Sequence, residues 1–219
     1  MNYITYGIII ITAIISVIGF NNTSFLRKSM FSTYEIIKKK EIFRIISSQF
    51  IHADWAHLLF NMVSFYFFAI NIENKFGPAA VFIIYFVSAI GGDLFVLFLK
   101  RRQNYQSLGA SGAVSGIIFA SVFLSPNSKI IIFPLPFPIP PWLYAILFIL
   151  ISIIAIGRKN QNISHESHIG GAFSGLLTTF ILYKSLVFKQ LSLAIFLFVV
   201  IIIFFVIKGL IQTDNQGHM

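Results

Sequence analysis

Apolar residues along this chain arrive in long blocks separated by short polar links. The blocks lie at 3–20, 55–72, 79–99, 108–124, 142–156, 167–187 and 191–210. Runs of about 18 or more apolar residues predict membrane-spanning helices. The expected fold class is therefore an all-α polytopic membrane protein, with no soluble domain and no internal repeat. The fourth block is among the shortest, roughly 26 Å at 1.5 Å per residue against a hydrocarbon core of ~30 Å. Its start is expected to sit below the membrane surface, under a polar loop.

The links add punctuation. The first, 21–54, is polar and amphipathic and carries Arg27, Lys28, Lys38, Lys39, Lys40 and Arg44. Its middle, 31–51, has apolar residues at mixed helical spacing, which predicts short interfacial helices. Gly77-Pro78 reads as a helix stop and restart, and Lys100-Arg101-Arg102 closes the third block. The stretch 134–141 is too rich in proline for a helix interior. A polar link follows at 157–166, and 212–219 reads as a disordered tail. The first block has no basic residues ahead of it and no A-x-A site behind it, so it is expected to be a retained span.

Composition narrows the class. Of 219 residues, 57% are hydrophobic and 11% charged, against ~45–50% and ~25% in soluble domains. The absence of cysteine excludes disulfides and thiolate chemistry. The net charge of +9 lies between apolar blocks, which favours contact with a membrane surface over nucleic acid. Abundant Ile, Phe, Asn and Lys fit an AT-rich bacterial genome.

Polar and ionisable groups inside spans are costly, at ~2.5–3.5 kcal/mol for Arg, Lys or Asp at mid-helix, and they point to function. His57 and Asn61 are four apart, hence on one helix face. Both can donate to a developing oxyanion; the plainer alternative is that they link helices. His52 is nearer the loop and is expected at the interface. Ser111 stands within Gly109-Ala110-Ser111-Gly112, and Gly112, Gly116 and Ala120 form a small-residue stripe. Read alone, that motif is a packing patch with an incidental serine. Yet Ser111 falls in a first helical turn, where free backbone N–H groups can bind an oxyanion. His168 is followed by Gly171 and Gly175 on the same face. Two smooth stripes facing one another would bring Ser111 and His168 within hydrogen-bond reach, the pair that nucleophilic hydrolysis needs. Asp93 is expected to pair with Lys100, Arg101 or Arg102. Glu73 is expected to tie the turn at Gly77.

Taken together, these pieces resemble the rhomboid family of intramembrane serine proteases. The matching segments are Arg44 in Glu41-Ile42-Phe43-Arg44, Phe50-Ile51-His52, His57-Leu58-Leu59-Phe60-Asn61-Met62, Glu73 with Gly77, Gly109-Ala110-Ser111-Gly112, and His168-Ile169-Gly170-Gly171 with Gly175. The resemblance implies Ser111 as nucleophile and His168 as general base, in a dyad without an acid. It implies His57, Asn61 and the Ser111 N–H as oxyanion donors. Arg44 would be the structural arginine of the first loop and Glu73 the structural acid after the second span. It also implies a six-helix core over 1–187 and a seventh helix over 188–211. The link 157–166 would be a cap loop and the fifth span a lateral gate. No metal or cofactor is implied. Substrates would be membrane proteins, single-pass or polytopic, in contact with membrane lipids, and the location would be a bacterial inner membrane. Two positions depart from the family: Phe43 stands for the usual tryptophan, and Ser115 for the aromatic that usually stacks on the base.

Two rival readings exist. An inactive rhomboid-like chaperone or binding protein typically lacks the serine or histidine, and both are present. A small transporter would show repeats or broken helices, and neither is found. On orientation two arguments collide. The family topology puts the amino terminus in the cytoplasm and the site outside. That leaves outside the cations of the first link, Lys100, Arg101, Arg102, Arg158, Lys159 and Lys208, with only Lys75, Lys129, Lys184 and Lys189 inside. The positive-inside rule points the other way. The family topology is preferred here, because much of the outer excess lies in one loop expected to pack on protein and lipid.

Overall fold

The computed structural model describes residues 2–130, 137–155 and 164–214, with side chains taken only to 151 in the fifth span and to 203 in the last. The sequence expectations for 131–136, for most of the link 157–166 with Arg158 and Lys159, for the Lys208 side chain and for 215–219 lie outside the described residues.

The fold is all-α and polytopic. The helices α1 (Tyr3–Asn21), α5 (Trp55–Phe76), α6 (Pro78–Lys100) and α9 (His165–Phe188) are each long and apolar enough to cross a membrane. The remaining apolar helices are the shorter α7 (Ser111–Leu124) and α8 (Pro141–Ala155), and α10 (Leu191–Asp214), which has 24 residues. The first link folds as α2 (Thr23–Ser29), α3 (Thr33–Lys39), α4 (Arg44–Ser47) and a 3-10 turn, Ser48–Phe50. Two minute strands, β1 (Phe31–Ser32) and β2 (Gln106–Ser107), pair antiparallel and tie this link to the segment before α7. α7 starts at Ser111 rather than at 108, because Gly109 has φ +115° and gives its N–H to the Ser48 carbonyl at 2.9 Å. α9 carries one non-helical residue, Tyr183, whose ring packs on Phe76 at 4.9 Å. α10 continues to Asp214, so the expected tail at 212–219 begins as helix.

Lipid tails are as apolar as leucine, so helices in a membrane associate through close packing and hydrogen bonds rather than through apolarity. α1 shows this directly. Its inward stripe is Thr5, Ile8, Thr12, Ser16 and Gly19, while Ile10, Ile11, Ile14 and Ile18 face outward. α7 is apolar on every side and buried from Gly112 to Leu124, as a central helix must be. It packs on α5, α6, α8 and α9. The contact with α9 is backbone to backbone: a Cβ on Gly171 would fall inside the Gly112 peptide, and one on Gly175 inside that of Gly116. The two smooth stripes read from the sequence are therefore one interface.

Three polar residues brace this frame. Arg44 is buried, with Nε and Nη2 each 2.7 Å from Glu41 Oε2 and Nη1 donating to the carbonyls of Arg27 (2.8 Å) and Met30 (2.9 Å). Glu73 corrects its expectation. The Gly77 turn is held by the Glu73 backbone, while the carboxylate accepts the N–H groups of Ile4 and Thr5 and the Thr5 hydroxyl. It thereby satisfies donors that the first turn of α1 leaves open. Asp93 also corrects its expectation. Instead of a cation it meets Ser48 Oγ (2.9 Å), Gln49 Nε2 (3.0 Å) and Ser167 Oγ (3.3 Å), all donating. Lys100 pairs with Glu166 at 3.2 Å.

Candidate active site

The polar groups converge at the amino-terminal ends of α7 and α9. Gly109 turns the chain with a positive φ, Ala110 caps α7, and Ser111 is its first residue. Only glycine fits at 109: apart from its φ, a Cβ there would lie 2.7 Å from His57 Cε1 and 2.8 Å from Nε2. Ser164 caps α9 by accepting the Ser167 N–H, so His168 falls in the first turn. Ser111 Oγ and His168 Nε2 are 2.7 Å apart. His168 is buried, with the Phe148 ring of α8 tilted 39° at 5.1 Å and the His165 ring edge-on at 5.3 Å.

His57 and Asn61 share one face of α5. Asn61 is buried and its Nδ2 donates to the His57 carbonyl at 2.9 Å. The Asp54 cap accepts the His57 N–H at 2.7 Å. His57 Nδ1 is buried and has no hydrogen-bond partner among the described residues. Its ring lies against Gly109, on the segment that leads into Ser111.

His52, expected at the interface, is instead fully buried. Its Nε2 accepts the Ala110 N–H at 3.3 Å, and its Nδ1 is 3.0 Å from Ser16 Oγ, which donates to the Phe50 carbonyl at 3.1 Å. An accepting Nε2 leaves the proton on Nδ1, so Nδ1 donates to Ser16. Burial, reinforced by the neighbouring His57, holds this imidazole down to about 3 from its ordinary 6.5, so it is neutral at physiological pH. The sequence signal was its five-residue spacing from His57, which gave no hint of the partner on α7. The sequence did not single out Phe148, and it marked Ser115 only as a departure from the family's aromatic. Ser115 is fully buried, and its hydroxyl donates to the Ser111 carbonyl at 2.6 Å. The ring on the base comes from α8. Beside Ser111 a small polar cavity of about 10 Å³ is lined by Ser48, Asp93, Ser107, Ser164 and Ser167, room for roughly one water. Among the described residues, no three His, Asp or Glu side chains gather as a metal site requires.

Such a site, in a polytopic helical membrane protein, can support proton transfer from a serine to a histidine away from bulk water. The rhomboid-domain family matches residues 39–185, well over half of the chain, and the chain belongs to the rhomboid family. It is 30% identical over 167 residues to RHOMBOID-like protein 12, mitochondrial, of Arabidopsis thaliana, covering 69% of this chain and 49% of that protein. It is 30% identical over 150 residues to the putative rhomboid protease YdcA of Bacillus subtilis, covering 64% and 67%. A shorter match, 36% over 85 residues, is to the inactive RHOMBOID-like protein 8 of Arabidopsis thaliana, covering 39% and 24%. The chain spans about half the length of the first of these relatives.

Proposed function

We propose that this protein is an intramembrane serine protease that hydrolyses a peptide bond in or near a transmembrane segment of membrane-protein substrates. The observation that carries this reading is the 2.7 Å hydrogen bond between Ser111 Oγ and His168 Nε2, formed between two helix starts whose glycine faces meet backbone to backbone. Ser111 Oγ attacks the scissile carbonyl carbon while its proton passes to His168 Nε2. The carbonyl oxygen becomes an oxyanion, stabilised by the Ser111 N–H, which has no intrahelical acceptor at the start of α7, and by His57 and Asn61. Collapse breaks the C–N bond, and His168 returns the proton to the leaving amine. Water, entering from the polar side lined by Ser107 and Ser164, gives a proton to His168 and attacks the acyl-enzyme. The proton goes back to Ser111 Oγ as its bond to the acyl carbon breaks, and the new carboxylic acid loses the second water proton to solvent.

In this reading residues 1–187 form a six-helix core and 188–211 a seventh spanning helix, in a bacterial inner membrane, with the site facing outward. Glu41–Arg44, Glu35–Lys39 and Lys100–Glu166 pairs tie three of the outer cations to the protein, while the positive-inside rule, which counts Lys and Arg alone, still points the other way. The reading predicts cleavage of a membrane-protein substrate by reconstituted protein, lost in both Ser111→Ala and His168→Ala. Cleavage that survives Ser111→Ala contradicts it.

A further inference from the structure

An imidazole turns about a broad, weakly defined terminal torsion, so its hydrogen bond to a nucleophile persists only if packing holds the ring plane. Around His168 that packing is unevenly sourced. One turn beyond Ser111 on α7 stands Ser115, which has no ring to offer and whose hydroxyl is committed to the Ser111 carbonyl. His165 meets the imidazole edge-on at 85°. The closer approach to coplanar comes from Phe148 of α8, at 39° and 5.1 Å. Phe148 is itself backed by Tyr144, one turn earlier, with the two rings stacked at 20° and 6.3 Å. Tyr144 rests on Phe68 of α5 at 4.8 Å, and its hydroxyl lies 3.3 Å from Ser64 Oγ. A column of rings thus runs from α5 through α8 to the imidazole on α9.

We propose that Phe148 is the positioning residue of His168: α8 supplies the ring that holds the imidazole plane so that Nε2 stays on Ser111 Oγ. The proposal rests on the protease reading. The ring also lies within cation–π range of the imidazole, so it favours the imidazolium formed when Nε2 takes the serine proton. Both effects act on the chemical step and leave substrate binding alone, so Phe148 governs kcat.

The test compares full-length reconstituted Phe148→Leu, Phe148→Tyr and Phe196→Leu, the last removing an exposed ring from α10, away from the site. Aromatic contacts of this kind are worth roughly a three- to tenfold change in rate. Phe148→Leu should lower kcat, and the fluorophosphonate labelling rate, by about that factor with KM within about twofold. Phe148→Tyr should restore most of the loss, and Phe196→Leu should match wild type. Should Phe148→Leu not extract folded, Phe148→Met carries the same expectation. The proposal is overturned if Leu and Met keep the wild-type kcat, if only KM changes, if Tyr is as slow as Leu, or if Phe196→Leu is equally slow. An unlabelled, inactive wild type would instead bring down the protease reading itself.

Discussion

His52 Nε2 accepts the backbone N–H of Ala110, the residue immediately before Ser111. Through this bond and the Ser16 link on its other nitrogen, α1 and the first loop hold the turn that presents the serine. His52 can accept at Nε2 only while neutral, and this gives the bond a pH dependence. The folded-state value lies near 3, below the unfolded 6.5. Between those values the unfolded chain binds more protons, so stability is present above about pH 6.5 and is lost as pH falls toward 3. Thermal unfolding in detergent should show the midpoint falling over this window in wild type, with a flatter slope in His52→Gln. Equal slopes would mean that His52 does not carry the acid sensitivity.

Gly171→Val should be severely damaging. The added branch meets the Gly112 backbone, which cannot swing away as a side chain could. Overpacking costs ~1–3 kcal/mol, and any shift of α9 against α7 lengthens the Ser111–His168 bond. Lower thermal stability together with lost cleavage is expected. Unchanged values for both would mean that the interface yields more easily than its geometry implies.

Glu73→Ala separates stability from chemistry. It leaves the N–H groups of Ile4 and Thr5 without their acceptor, at about 1–3 kcal/mol for unsatisfied buried donors. The melting midpoint should drop while kcat of the folded fraction stays near wild type. A selective loss of kcat would tie the start of α1 to catalysis.

Ser115→Tyr should not improve the enzyme. Residue 115 is fully buried, and the base already has its ring in Phe148. Overpacking by a tyrosine should lower both stability and rate. A faster Ser115→Tyr would show that the His168 ring is loosely held after all.

The spans were legible because unbroken apolar blocks have few other solutions. The glycine faces were legible too, since three- and four-residue spacing fixes a helix side. Less could be read wherever a polar residue's partner is distant in sequence. Asp93 lies seven residues from Lys100 but is answered by Ser48, Gln49 and Ser167. Spacing along one helix carries no information about what another helix brings. His52 and Phe148 escaped for the same reason: each acts on the site across helices. The start of α7 was placed too early because Leu108 is apolar yet belongs to the loop that Gly109 ends.

Orientation is open to a clean experiment because the chain has no cysteine. Gln103 and Asn74 are both exposed, at opposite ends of α6. With the site facing outward, Gln103→Cys should react with a membrane-impermeant maleimide in intact cells and Asn74→Cys should not. The reverse labelling would put the site on the cytoplasmic side, as the Lys and Arg count suggests.

The central claim is that Ser111 is a nucleophile activated by His168. The most direct measurement is the site of covalent attachment of a fluorophosphonate, read by mass spectrometry of the intact membrane-reconstituted protein. The predicted result is one adduct, on Ser111, absent in Ser111→Ala and strongly slowed in His168→Ala. No adduct on Ser111, or one whose rate is indifferent to His168, would contradict the account.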